Sequence, residues 1–162
     1  MSLPIQSRIK ELLHYDEHTG AITRIVSVAG NAKAGRTAGY KASDGYIRIM
    51  VDGKNYMAHR LAWLYVNGSW PEEMIDHIDG VRSNNAISNL RNVDNSMNMQ
   101  NLKAARKDNS TGVLGVEFLQ NKYRAAIKIG GKKKHLGYFS TKELALGAYL
   151  SAKRKHHAGC TI

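Results

Sequence analysis

The sequence predicts an α+β chain in two parts, and three observations carry that prediction. Residues 74–101, MIDHIDGVRSNNAISNLRNVDNSMNMQN, set seven asparagines and three aspartates between short apolar runs, in the order strand, loop, strand, helix. Residues 113–139 hold three short runs of strand-forming residues separated by Gln120-Asn121 and Gly130-Gly131, which predicts a three-stranded antiparallel sheet. In STKELALGAYLSAKRKHHAG, the apolar residues Leu144, Ala145, Ala148, Tyr149 and Ala152 then recur at helical intervals, so one helix covers one face of that sheet.

Each element follows from local chemistry. LLHYDEHTGAITRI reads as a helix end, a turn at His18-Thr19-Gly20 and a strand. GYIRIMVDGKNYMAHRLAWLYVNGSWP predicts a strand over 46–51, an Asp52-Gly53 turn and a return strand over 55–58. A helix over 58–66 follows, with Leu61, Ala62, Leu64 and Tyr65 as its apolar face; Asn67-Gly68 ends it and Pro71 closes it off. In the second region a strand over 74–78 leads into a loop over 79–89 and a returning strand over 90–93. Asp94 or Asn95 then caps a helix carrying Met97, Asn98 and Asn101. After the polar segment RKDNSTG, strands are expected over 113–118, 123–129 and 134–139. Ser140 and Glu143 stand at capping-box spacing before the last helix, and Gly159 is its expected stop. The domain organisation expected is 1–103, with its core at about 74–103 after a hairpin and helix over 45–67, then a linker over 104–112 and a second domain over 113–162.

Composition narrows the class. The chain has 162 residues, 43% apolar and 23% charged, enough to bury a core. A single cysteine, Cys160, precludes an internal disulfide and a multi-cysteine zinc site, and fits a reducing compartment. No apolar run approaches the length of a membrane span, and MSLPIQSRIK has no signal-peptide pattern, so a cytoplasmic protein is expected. Charge is more telling than its total of +11, because residues 103–162 hold 13 Lys/Arg against 3 acids and residues 1–102 hold 11 against 10. A concentrated basic segment neutralises phosphates and releases their counterions, which points to nucleic acid. An anionic membrane surface is the weaker alternative, since no strongly apolar helix face accompanies the charge.

The asparagine density of residues 74–101 by itself describes a solvated loop, because Asn and Asp side chains compete for backbone hydrogen bonds. Asn84, Asn85 and Asn95 read as turn formers of that kind. Asp76 and His77 are adjacent on a strand and so point to opposite faces unless a twist or bulge intervenes. A ββα arrangement folds the helix bearing Asn98 back across the hairpin, which can bring Asp76, His77 and Asn98 around one concave spot. A carboxylate and an amide oxygen are a hard ligand pair suited to Mg²⁺. A neutral imidazole beside them can take a proton from water near pH 7, and the competing reading of His77 is a satisfied buried histidine.

The pattern HRLAW, GSWP, IDHIDG, NN, SNLR and the later asparagines resembles the HNH endonuclease family, in the form found in phage-encoded and intron-encoded homing endonucleases. The layout covers about residues 10–103, and the close match covers 59–101. It pairs Asp-His with Asn89 twelve residues after the histidine and Asn98 twenty-one after it. The resemblance implies a ββα-metal (His-Me finger) fold with His77 as general base and Asp76 and Asn98 as ligands of one divalent cation, Mg²⁺ or Mn²⁺. It makes Asn89 the structural asparagine of the loop. Asn98 stands where the family name has its final histidine. The cysteine pairs of the zinc-stabilised branch are absent, so no structural zinc is expected. For His59 and Arg60 two readings stand side by side: Arg60 can hold phosphate and His59 can bond within the nuclease core, or both can simply pack.

Residues 110–159 are similar to AP2-type DNA-binding domains, through STGVLGV, YRAAI, KKKHLGYFST and ALGAY. That resemblance implies a three-stranded sheet laid in the DNA major groove with the helix packed behind. Alternation puts Tyr123, Ala125, Ile127 and Ile129 toward the helix and Arg124, Ala126 and Lys128 on the open face, with Lys133 and His135 outward on the third strand. Arg124 is then a candidate for guanine, and Lys132, Lys133 and Lys134 for phosphates. The competing reading is a solvated basic hairpin. Leu114, Glu117, Ala126 and His135 depart from the plant regulators' residues, so no base preference carries over. Lys153, Arg154 and Lys155 read as a helix-end charge cluster.

The expectation is a metal-dependent DNA endonuclease of homing type, targeted by its second domain and leaving 5′-phosphate and 3′-hydroxyl ends. One metal and one base make one centre, so a monomer that nicks double-stranded DNA is expected, in the cytoplasm of a bacterial host and encoded by a phage or prophage. The rival is a non-catalytic DNA-binding regulator that keeps the core. An RNA-directed nuclease is weaker, because the major groove of an RNA duplex is too narrow for a sheet.

Overall fold

The computed structural model describes residues 3–28, 30, 32–102, 104, 105 and 107–161. Met1 and Lys103, the ends of the first expected domain, lie outside the described residues. The chain divides into two compact units, Met1–Asp94 and Asn95–Ile162.

The first unit begins with α1 (Gln6–Leu12), β1 (Leu13–Tyr15) and β2 (Ile22–Arg24), the last two paired antiparallel with Tyr15 opposite Ile22. A mixed set follows: β3 (Tyr40–Lys41), β4 (Ile47–Val51) and β5 (Lys54–Met57) form one antiparallel sheet that runs directly into α2 (Ala58–Asn67). Asp52 at φ 46° and Gly53 at φ 78° are both left-handed, as a two-residue turn between twisted strands requires. Gly68 ends α2 at φ 78°, its N–H bonded to Leu64 O at 3.0 Å. Ala58, Leu61, Ala62 and Leu64 bury the inner face of α2 against Ile9, Leu12, Leu13, Tyr15, Ile49 and Val51. The hairpin β6 (Met74–His77) and β7 (Leu90–Val93) pairs Asp76 with Arg91 and His77 with Leu90, and Ile75 and Leu90 join the same core.

The turn after β1 braces the asparagine-rich loop. Tyr15 Oη donates to Asn85 O at 2.8 Å, and Ile87 N–H donates to Glu17 O at 3.0 Å. Gly20, at φ 73°, lies so close to the Asn85–Ala86 backbone that any side chain there would overlap it. A one-turn 3-10 helix, Ile87–Asn89, then delivers the chain into β7.

The second unit holds α3 (Asn95–Gln100), then β8 (Val116–Leu119), β9 (Lys122–Ile129) and β10 (Lys132–Phe139) in one antiparallel sheet with β9 central. Helix α4 (Lys142–His156) packs on that sheet, burying Val116, Ala125, Ala145 and Tyr149, with Ile127 also buried. Alternation along β9 follows the pleat, with Ala125 and Ile127 inside and Lys128 exposed. The register of β10 shifts between His135 and Gly137, where a bulge leaves Leu136 unpaired. Gly115, at φ 71°, lets the backbone pass against the Tyr149 ring, where no Cβ would fit.

Several local expectations need correction. The strand expected from Val113 starts at Val116, because Thr111 Oγ1 donates to Val116 O at 2.9 Å and turns the chain first. Thr141, not Ser140, caps α4, its side chain accepting from Leu144 N–H at 3.3 Å. Leu144, expected on the inner face, is 57% exposed, while Ala145 and Tyr149 are buried as expected. The helix also ends before Gly159, which instead packs on Met97 and donates its N–H to Gln100 Oε1 at 3.2 Å. Those contacts lie within the second unit. Among the described residues no helix is long and apolar enough to cross a membrane.

Candidate active site

Strand β6 buries its last three residues, and the final two are Asp76 and His77, at 8% and 4% exposure. Burying a carboxylate is costly without a partner, and the partner stands directly across the ladder. Arg91 donates from Nε at 2.9 Å and from Nη2 at 2.7 Å to the one oxygen Asp76 Oδ2. The same strand pair thus fixes the orientation of the Asp76 carboxylate.

His77 is held by the loop. Its Nε2 lies 3.1 Å from Asn85 Oδ1, and Asn85 is itself 3% exposed. The His59 ring, from the first turn of α2, meets the His77 ring edge-on, with centroids 5.1 Å apart and planes at 88°. Tyr46 closes the group, its centroid 5.3 Å from that of His59 and 5.9 Å from that of His77. Arg82 lies over the outer face of Tyr46 at 5.1 Å and donates to Asp44 O at 2.7 Å. Burial, followed by the nearby charges of His77 and Arg60, pushes His59 down to about 4, so its imidazole is neutral at pH 7. Among the described residues, His59 Nδ1 is buried with no hydrogen-bond partner.

Asn89 works across the loop. Its Oδ1 accepts from Asp79 N–H at 3.0 Å, and its Nδ2 donates to Asp79 Oδ1 at 3.0 Å and to Asn84 O at 2.8 Å. Asp79 also accepts from Val81 N–H at 2.7 Å and Asn84 Nδ2 at 2.7 Å. Burial alone would raise the Asp79 pKa, but these hydrogen bonds outweigh it and hold the carboxyl below its ordinary value. Asn84 closes a local turn through Ala86 N–H at 3.3 Å, the behaviour its residue type suggests. Asn85 differs: its side chain leaves the turn and reaches His77.

Among the described residues no group of three or more His, Cys, Asp or Glu side chains converges as a metal cage. The chemistry of the donors fits a different kind of ion, a hard cation that takes one carboxylate, keeps its waters and completes its shell with substrate phosphate. Asn98 lies on α3, in the second unit.

Residues 56–100 match the family model of the HNH endonuclease. The matched segment runs from β5 to the end of α3 and includes His59, Asp76, His77, Asn85, Asn89, Arg91 and Asn98. HNH nucleases act on DNA and generally use a divalent metal ion. No curated protein and no solved structure matches the chain.

Other sequence candidates are placed as follows. Arg60 donates to Pro71 O at 3.4 Å and lies 5.8 Å from the Trp70 ring, inside the matched segment. In the second unit, Glu117 binds both Arg124 Nη2 and Lys133 Nζ at 2.7 Å. Lys128, Lys132, Lys134 and His135 are exposed on the same sheet, and His135 stacks near Tyr138 with centroids 4.8 Å apart. Sequence reasoning missed Tyr15, Tyr46, Asn85 and Arg91. Arg91 was within reach, since the pairing of the two predicted strands sets a basic residue opposite Asp76. Tyr15 and Tyr46 come from distant segments, and no local signal ties them to the loop.

Proposed function

We propose that this chain is a metal-dependent DNA endonuclease of homing type that nicks double-stranded DNA. The observation that carries the reading is a buried, oriented Asp76-His77 pair inside the segment matching HNH endonucleases. His77 acts as the base, taking a proton from a water molecule aligned with the scissile P–O bond. Asp76, and Asn98 by its spacing, are the residues that hold one divalent cation, Mg²⁺ or Mn²⁺. When bound, that ion polarises the phosphate and stabilises the leaving 3′-oxygen. Arg91 keeps Asp76 in one orientation, and Asn89 fixes the loop that returns the chain to β7. The products carry 5′-phosphate and 3′-hydroxyl ends.

The second unit serves as the targeting module, in the manner of an AP2-like domain, with Arg124, Lys128, Lys132, Lys133, Lys134 and His135 as its contact residues. Support comes from the basic charge of residues 103–162 and from the pairing of Lys128 with Lys133 on the face away from α4, with Lys132 and Lys134 exposed on the same strand as Lys133. Arg60 is a further phosphate contact in this reading. A non-catalytic DNA-binding regulator is the alternative, and the Asp76–Arg91 ion pair favours it, because it already neutralises the carboxylate that a cation would take. Conversion of supercoiled plasmid to nicked circles in Mg²⁺ separates the two.

A further inference from the structure

We propose that Asn85 is the positioning residue for His77, selecting the ring nitrogen that accepts the proton. The inference rests on the endonuclease reading and adds to it a role the sequence had assigned to turn chemistry. The neighbouring pair Asn84-Asn85 looks redundant in sequence, yet the two side chains do different things. Asn84 bonds locally, to Asp79 and to the Ala86 N–H. Asn85 is buried and sends Oδ1 to His77 Nε2 at 3.1 Å.

A carbonyl oxygen only accepts, so Nε2 must carry the proton in this contact. In a neutral imidazole the other nitrogen, Nδ1, then holds the lone pair, so in this proposal Nδ1 is the atom that takes the proton from water. The contact also sets the direction of the ring, because His59 meets His77 at 88° and Tyr46 stands 5.9 Å away, leaving little room for rotation.

The hold on Asn85 comes from a remote part of the chain. Tyr15 Oη donates to Asn85 O at 2.8 Å, and Gly20 lets the turn before β2 lie directly on the Asn85 backbone. Burial, with Glu17 and Asp16 nearby, pushes the Tyr15 phenol up to about 12, so it stays a donor through the working pH range. The first hairpin therefore clamps the loop residue that orients the base, which gives residues 13–24 a purpose in the site although they lie outside the matched segment.

The test uses the full chain and two readouts. Nitrogen shifts of the His77 imidazole are recorded without DNA at about pH 8.5, well above the ordinary histidine value of about 6.5. Protonated Nε2 with bare Nδ1 is expected. Bare Nε2 overturns the proposal, because Asn85 would then be presenting its amide N–H. Plasmid nicking is then compared for Asn85→Leu and Asn85→Asp. Asn85→Leu should lower kcat by about 10- to 100-fold with KM within about twofold, the usual size of a lost orienting contact. Asn85→Asp, which keeps an acceptor oxygen, should restore most of it. Unchanged kcat in Asn85→Leu, or equal loss in both variants, overturns the assignment. If the wild-type chain does not nick at all, the endonuclease reading fails, and the imidazole spectrum still decides what Asn85 does.

Discussion

Arg91 and Asp76 meet through a single oxygen: both guanidinium donors, Nε and Nη2, converge on Asp76 Oδ2 across the β6–β7 ladder. Removing one partner of a buried pair strands the other, which for fully buried pairs costs roughly 3–5 kcal/mol. Arg91 keeps 23% of its side chain exposed. Arg91→Ala should therefore destabilise the chain by somewhat less, about 2–4 kcal/mol. If Asp76 is a cation ligand, millimolar Mg²⁺ should stabilise Arg91→Ala more than wild type, because the ion takes over the charge that Arg91 balanced. Urea unfolding with and without Mg²⁺ measures this, and equal Mg²⁺ effects in both proteins would remove Asp76 from the ligand set.

His59 makes the fold sensitive to acid. Its folded value of about 4 lies below the ordinary 6.5, so between those pH values the unfolded chain binds a proton that the folded chain refuses. The contribution is fully present above about pH 6.5 and is lost as pH falls toward 4. Its size is on the order of 2–3 kcal/mol. His59→Phe keeps the ring packing and removes the titration, so the difference between variant and wild type should grow through that window. Parallel pH curves for the two proteins would show that His59 does not titrate there.

Glu117 occupies two cations of the proposed DNA face, Arg124 and Lys133. Glu117→Gln should free both for phosphate and tighten binding to duplex DNA by roughly 3- to 10-fold at low salt, the effect shrinking as salt screens it. Lys133→Ala should weaken binding across sequences and reduce the salt slope by about 1. Fluorescence anisotropy over a salt series reads both, and an unchanged slope in Lys133→Ala would place the DNA elsewhere.

The elements with strong local chemistry were legible in the sequence. The Asp52-Gly53 turn, the Gly68 stop of α2 and the pairs Gln120-Asn121 and Gly130-Gly131 are all left-handed positions that residue type announces. β9 shows the alternation that was read from it, with Ala125 and Ile127 inside. What local chemistry does not carry was not legible. β3 is two residues long and depends on pairing with β4, and Leu144, in the first turn of α4, points outward while Ala145 and Tyr149 face in as expected. At the site, spacing singled out Asp76, His77 and Asn89, but a run of asparagines gives no sign of which member turns inward. Asn85, unlike Asn84, is met by Tyr15, 70 residues earlier in sequence, and by Gly20.

Whether His77 is the base of a metal-dependent nuclease is decided by a supercoiled-plasmid assay. Wild-type chain and His77→Ala are incubated with DNA containing the target, in Mg²⁺ and in EDTA. Wild type should give nicked circles in Mg²⁺ alone, with His77→Ala slower by at least about 100-fold, the lower range for a lost general base. Equal nicking by His77→Ala and wild type would contradict the assignment of the base, and nicking by wild type in EDTA would contradict the metal.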